Sequence, residues 1–240
     1  MKPKQSIAIT KNIKRFSAAF GDLAGRSDRV PGLGLVTGQA GTGKTTATTY
    51  VCNTQNAVYV TATPFWTSNS MLAKILAELG INPGGATNAR MHDLIIERLR
   101  MTNRAVLVDE ADHLFDNSDR RRLVEGLRSL HDHSNVPIVL IGMEHIRSKL
   151  HRYPQLSGRI SRSVDFSNLD PEDTRLVLDA ICDVQVDVEL AELVCARTKG
   201  SLRLVIVAAE TVESEALAQG WETVTPRLWG NRALFPGDRG

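Results

Sequence analysis

The run Gly38-Gln39-Ala40-Gly41-Thr42-Gly43-Lys44-Thr45-Thr46 is made of residue types that together bind phosphate. Glycines let a backbone curl until successive N–H groups point at one anion, and a helix starting just beyond directs its positive end at the same place. Residues 38–45 fit the pattern G-x-x-x-x-G-K-[ST]. In that pattern the lysine, here Lys44, reaches the β- and γ-phosphates of a nucleoside triphosphate, and the hydroxyl, here Thr45, ligates Mg²⁺. A second set of groups stands at the end of Ala105-Val106-Leu107-Val108-Asp109-Glu110. Asp109 at the end of a buried strand would hold the Mg²⁺ through its water shell, and Glu110 is placed to polarise a water for attack on the γ-phosphate. Asp112 and His113 follow, and without partners at ligand spacing they read as solvated or capping residues, not as a metal site.

Such groups need a sheet to hold them. From Leu33 onward, short apolar runs alternate with amphipathic stretches: 33–37, 57–61, 105–108, 137–141 and a weaker 163–166. Runs this short and apolar predict strands buried on both faces, and the 3.6-period segments 71–79, 91–99 and 120–131 predict crossover helices of a parallel sheet. After Phe166 the strands are expected to stop. Asp170-Pro171-Glu172 starts a helix, with further helical patterns over 188–198 and 202–219, so a small all-helical module follows the α/β part. A short amphipathic helix over 9–23 precedes it. The division expected is 1–32 as a short basic extension, 33–167 as the α/β domain, 168–225 as a helical lid and 226–240 as a tail.

Composition agrees with a soluble globular chain: hydrophobic residues are 42% and charged residues 23% of 240. The longest apolar run is far too short to span a bilayer, and no apolar signal segment follows the basic start. The expectation is a cytoplasmic protein with no membrane partner, its three cysteines reduced. Charge is uneven. Residues 1–104 carry 13 Lys+Arg against 5 Asp+Glu, whereas residues 169–240 carry 7 against 13. That split suits a polyanion-binding face, or complementary faces that let copies stack head to tail, or an ordinary solvated surface.

Three arginines suit nucleotide chemistry. Arg203, after Gly200-Ser201-Leu202 at a helix start, would reach back to the γ-phosphate from the lid. Arg159 and Arg162, read as lying just before the fifth strand, are placed to enter a neighbouring subunit's site and neutralise transition-state charge.

The order of these features resembles the AAA+ ATPases: phosphate loop, Asp-Glu strand, a fourth strand, an arginine before the fifth, then a lid carrying Gly-x-x-Arg. In that family Gly200-Ser201-Leu202-Arg203 corresponds to the second sensor and Arg159 to the trans-acting finger. The stretch Leu140-Ile141-Gly142-Met143-Glu144, with Tyr153-Pro154-Gln155-Leu156-Ser157-Gly158-Arg159, is similar to one branch, the target-selection ATPases typified by the B protein of phage Mu. The resemblance covers roughly residues 30–215. It implies a P-loop AAA+ core with a small C-terminal helical lid, ATP and Mg²⁺ as cofactors, slow hydrolysis stimulated by DNA or a partner, and head-to-tail assembly as filament or ring. It also implies double-stranded DNA bound with little sequence preference and presented to a transposase. DNA contacts would come from the loop Thr63-Pro64-Phe65-Trp66-Thr67-Ser68-Asn69, from Arg90, Arg98, Arg100 and Arg104, and from the basic arm Lys2, Lys4, Lys11, Lys14 and Arg15. One departure stands out: Gly142-Met143 occupies the place where the family usually has Asn, Thr or Ser.

Two rival functions share these motifs. One is a helicase-loader AAA+ protein acting in replication, and the other an ATP-gated scaffold on DNA that scarcely hydrolyses. Asp109-Glu110-Ala111-Asp112 also spells the DEAD tetrapeptide, but such helicases need a second RecA-like domain, which residues 168–240 are too few to make.

Overall fold

The structure is a computed structural model that describes residues 7–116 and 121–238. Lys2, Lys4 and Arg120 lie outside the described residues. The chain divides into two compact units. The sheet unit takes in Arg15–Gly38 and Lys44–Asp165; the helical unit takes in residues 39–43 and, of the two ends of the chain, 7–14 and 166–238. Among the described residues no helix is long and apolar enough to cross a membrane.

In the sheet unit, β1 (Leu33–Gly38), β2 (Val58–Thr61), β3 (Val106–Asp109), β4 (Ile138–Gly142) and β5 (Ile160–Phe166) form one sheet in the order β2-β3-β4-β1-β5. β4 pairs in parallel with both β1 and β3, and β2 with β3. Every residue of β1, β3 and β4 is buried, which is why these strands read as unbroken apolar runs. β5 is an edge strand. Ser163 and Asp165 face out and Val164 and Phe166 in, so its sequence signal is diluted and its first three residues were missed. Arg162 therefore lies within β5, not before it.

α1 (Lys11–Ala24) opens the described chain. Its Phe16, Phe20 and Leu23 are buried and line, with Leu35, Val139 and Val164, a narrow apolar cleft on the sheet. Part of the segment expected to be an extension thus packs its apolar side chains against the sheet. After β1 comes α2 (Lys44–Gln55), and after β2 come α3 (Ser68–Glu78) and α4 (Asn88–Thr102). Their starts are written locally: Thr67 caps α3 reciprocally with Ser70, and Thr87 caps α4 through the N–H of Arg90. A 3₁₀ turn, Ala111–Leu114, follows β3, and α5 (Arg121–Ser134) leads into β4. Two short helices, α6 (Ile146–Leu150) and α7 (Pro154–Ser157), precede β5.

The helical unit is built on α8 (Pro171–Ile181), α9 (Val188–Thr198) and α10 (Leu202–Gln219), whose Leu178, Leu190, Val194, Val205, Ala209 and Val212 form its core. Asp170 caps α8 by accepting from Asp173 N at 2.9 Å, with Pro171 at the first position. Two corrections arise here. The unit is not wholly helical, because β6 (Gln185–Val186) and β7 (Thr223–Val224) pair in parallel. The other concerns residues 226–238, expected to be a tail, which pack on this unit. α11 (Pro226–Trp229) carries Trp229 into the core, Leu234 is fully buried, and Arg197 pairs with Asp238 at 3.2 Å.

Candidate functional site

In an open parallel sheet, ligands meet the carboxyl ends of the strands where neighbouring connections diverge. β1 ends at Gly38 beside β4, and β3 ends at Asp109 on the other side of β4. From Gly38 the chain turns through Gln39–Gly43 into α2, which begins at Lys44 and carries no acidic residue in its first turn. Within its own first turn that helix therefore offers no carboxylate to offset its positive end. Thr46 lies in the same turn and is half-buried, and Gln39 and Ala40 are exposed.

Gly41 and Gly43 have φ of 83° and 88°, conformations that disfavour any side chain. Within the helical unit they also lie against the start of α10. A Cβ on Gly41 would sit 2.6 Å from Ser201 Oγ and 3.7 Å from Arg203 Cβ, and one on Gly43 would sit 2.6 Å from Leu202 Cδ2. Arg203 is exposed, and its turn of the lid shares one compact unit with residues 39–43.

In the sheet unit, Asp109 is buried and its two oxygens are both used. Oδ2 accepts from Thr45 Oγ1 at 2.9 Å and from Tyr59 OH at 3.0 Å, and Oδ1 accepts from Glu110 N at 2.9 Å. Burial pushes the Tyr59 hydroxyl up to about 12, with its hydrogen bond to Thr61 acting the other way, so it stays a donor at neutral pH. Thr45 and Asp109 together present a hydroxyl and a carboxylate, the hard oxygen donors that suit Mg²⁺ directly or through water. Glu110 is exposed and adopts a left-handed backbone with φ of 51°. A non-glycine residue held there costs of order 1 kcal/mol, a kind of strain that clusters at functional sites. Lys44 donates to Gly38 O at 2.7 Å and touches Met143 Sδ at 3.7 Å. Desolvation pulls its ammonium below the ordinary lysine range, against the attraction of Glu110, Asp109, Asp112 and Glu144.

Met143 stands where the resemblance leads to the expectation of a polar side chain, and its backbone N–H is held by a buried acid. Asp112 is 6% exposed, neither solvated nor a surface cap as its sequence context suggested. Its Oδ2 accepts from Met143 N at 2.6 Å, and His145 Nε2 lies 3.2 Å from Oδ1. A Cβ on Gly142 would collide with this carboxylate. The turn after β4 is thus pinned by a buried acid that leaves no room for a branched side chain at position 142.

The remaining candidates do not converge. Arg159 directly precedes β5, and its guanidinium lies side-on against Asp132, Nε to Oδ1 at 2.7 Å and Nη2 to Oδ2 at 2.9 Å, while Nη1 bonds Gln155 O. Arg162 reaches Asp22 at 3.6 Å. Trp66 is 8% exposed and packs in the sheet unit's core, whereas its neighbour Phe65 is 88% exposed. Burial removes the Trp66 ring from any DNA surface. Thr67 and Ser68 start α3, the first as its cap. Arg90, Arg98 and Arg100 are exposed on α4, but Arg98 and Arg100 are two residues apart and so point about 200° away from each other. Arg100 also donates to His133 O at 2.8 Å. Arg104 is occupied by three backbone carbonyls, those of Asn56, Ala57 and Glu78, which makes it a brace. Lys11 of the basic arm pairs with Asp170 and Glu172.

Sequence reasoning missed Tyr59, Asn12 and the burial of Asp112. Tyr59 alternates with buried Val58 and Val60 on the strand beside β3, a signal that the strand order would have made usable. Asn12 is 3% exposed on the apolar side of α1, where an amide demands partners.

A family model described as an AAA domain matches residues 27–150. The chain is 28% identical over 183 residues to the Mu-like prophage FluMu DNA transposition protein B of Haemophilus influenzae, covering 72% of this chain and 62% of that one. It is 27% identical over 181 residues to the ATP-dependent target DNA activator B of Escherichia phage Mu, covering 72% and 56%. The chain thus matches less than two thirds of either relative's length. Among solved structures, the ORC2 protein of Aeropyrum pernix in its ADP form superposes with a TM-score of 0.70 at 19% identity, covering 94% of this chain and 68% of that one. That likeness concerns the fold alone.

Proposed function

The chain belongs to the AAA domain family, and from that membership we propose that it is an ATP-dependent DNA-binding ATPase of transposition, which assembles on double-stranded DNA and presents it to a transposase. The observation that carries the reading is the convergence of Thr45, Asp109 and a strained Glu110 at the strand ends beside the start of α2. Relatives named for DNA transposition and for ATP-dependent target DNA activation support the wider role.

In this reading Gly38–Thr46 bind ATP, Lys44 leaves the Gly38 carbonyl for the β- and γ-phosphates, and Thr45 and Asp109 hold Mg²⁺. The ion offsets phosphate charge when bound. Glu110 takes the proton of the attacking water, Arg203 reads the γ-phosphate from the lid, and Arg159 acts on the next subunit's nucleotide after leaving Asp132. DNA is gripped through phosphates by Arg90, Arg98 and Arg100, with Phe65 as the exposed aromatic of the loop after β2. Assembly is head to tail, which propagates as a ring or filament. The place of action is the cytoplasm. The test is ATP turnover with and without duplex DNA. Turnover that rises on adding duplex supports the reading, and no turnover with either sinks the enzymatic part.

The scaffold reading has one observation in its favour: a thioether, not a polar group, stands beside Lys44. A single-turnover rate with DNA present that stays at the rate of the Glu110→Gln protein would select it.

A further inference from the structure

A phosphate loop works only if its N–H groups face inward, and in a trans peptide the C=O then faces outward. Outward carbonyls that are shielded from water need donors of their own. Two such donors stand within the helical unit. Thr42 Oγ1 donates to Gln39 O at 2.9 Å, which aims the Ala40 N–H the opposite way. Asn12 Nδ2 donates to Thr42 O at 3.2 Å, which aims the Gly43 N–H the opposite way.

Asn12 is also tied to the chain leaving β5. Its Nδ2 donates to Ser167 O at 2.8 Å, and its Oδ1 accepts from Ser167 N at 3.4 Å. Its backbone position follows α8, because the preceding N–H, that of Lys11, donates to both oxygens of Asp173 at 3.0 and 3.2 Å. Asp173 is itself buried. Asn12 therefore holds one peptide of the phosphate loop and is in turn held by the segment that enters the helical module.

We infer that Asn12 is a positioning residue of the nucleotide site: its side-chain amide, anchored on Ser167, fixes the Thr42–Gly43 peptide with its N–H toward the phosphate. A leucine of similar shape would fill the space and leave Thr42 O without its donor, freeing the peptide to rotate. An aspartate would go further, placing acceptors against the carbonyls of Thr42 and Ser167.

This inference rests on reading residues 38–45 as an ATP site, and the experiment separates the two. Fluorescent ATP is titrated into wild type, Lys44→Ala and Asn12→Leu, with thermal melting of each. Wild-type binding together with an affinity about tenfold weaker in folded Asn12→Leu, the effect of one misaligned hydrogen bond, is the expected result. Equal affinity in wild type and folded Asn12→Leu overturns the role of Asn12 and leaves the ATP site standing. No binding by wild type overturns both. A spectroscopic signature distinguishes positioning from mere stability: the Gly43 amide proton should move downfield when ADP is added to wild type and move much less in Asn12→Leu. The same downfield movement in both overturns the inference. Should leucine fail to fold, Asn12→Ala carries the same titration. Labelled wild type serves without any variant. Its Asn12 side-chain amide protons should exchange slowly and shift on adding ADP, and fast exchange with no shift counts against the role.

Discussion

The strand ends of the sheet and the outer face of α4 were both expected to meet phosphate, and they are built in opposite ways. At the strand ends polar groups converge: one buried carboxylate, Asp109, takes hydrogen bonds from Thr45, Tyr59 and the Glu110 N–H. On α4 the cations diverge, with Arg98 and Arg100 on opposite sides, and Arg104, just beyond the helix, is spent on backbone carbonyls. A site that must stabilise charge at one point needs preorganised groups and low exposure. A surface that grips a polyanion through its counterions needs only net charge within a Debye length. The first leaves a pattern of fixed spacing in the chain; the second leaves almost none.

The largest effects should come from the convergent region. Glu110→Gln should hydrolyse ATP at least about a hundredfold more slowly while binding it as before. Lys44→Ala should lose at least about a hundredfold in ATP affinity, because a charge-assisted contact to phosphate is removed. Equilibrium titration and turnover assays check both, and normal turnover by Glu110→Gln would remove that residue from its role. Mixing is the next test. Arg159→Ala keeps Lys44 and Glu110, and Glu110→Gln keeps Arg159, so co-assembly should restore part of the activity that each lacks. Absence of any recovery would confine Arg159 to its pairing with Asp132 within one chain.

On the divergent side the expected losses are smaller. Arg98→Ala and Arg100→Ala should each weaken duplex binding by a few fold, equally for unrelated sequences, and each should lower the salt slope by about 0.9. Because the two side chains lie on opposite faces of α4, a loss confined to one of them would identify which face meets DNA. A loss confined to one DNA sequence would contradict phosphate-only recognition.

The smallest effect concerns stability alone. His131 is buried, takes the Gly32 N–H on Nε2 at 3.2 Å and meets Val136 O through Nδ1 at 2.9 Å, so the ring is held neutral. Desolvation holds its pKa below the ordinary histidine value. The unfolded chain therefore binds this proton first as pH falls below about 6.5, and stability present above that pH is lost on acidification. The melting temperature should drop by a few degrees more between pH 7 and 5 in wild type than in His131→Gln. Equal drops would assign the pH dependence elsewhere.

Much of the sheet was legible, and the reason is burial. β1, β3 and β4 are covered on both faces and so are written as apolar runs; the edge strand β5 is half polar and was read short. The short pair β6 and β7 was illegible because two residues carry no period. The phosphate-loop pattern and the Asp-Glu strand are each contiguous in the chain, so the expectation of phosphate chemistry could be drawn from spacing. Asn12, Tyr59 and Asp112 reach their partners Thr42, Asp109 and Met143 only through the fold, across 30, 50 and 31 positions of chain. Trp66 and Phe65 show the converse limit: adjacent aromatics take opposite environments, and nothing local says which ring turns inward.

The central claim is that nucleotide at the strand ends governs assembly on DNA, and sedimentation of a fluorescent duplex of about six helical turns tests it most directly. With ATP and Glu110→Gln, which keeps the nucleotide intact, the duplex should sediment as complexes holding several protein copies, and with ADP or with Lys44→Ala it should sediment nearly free. Equal assembly with ATP, with ADP and with no nucleotide, or a single copy per duplex under all conditions, would contradict the account.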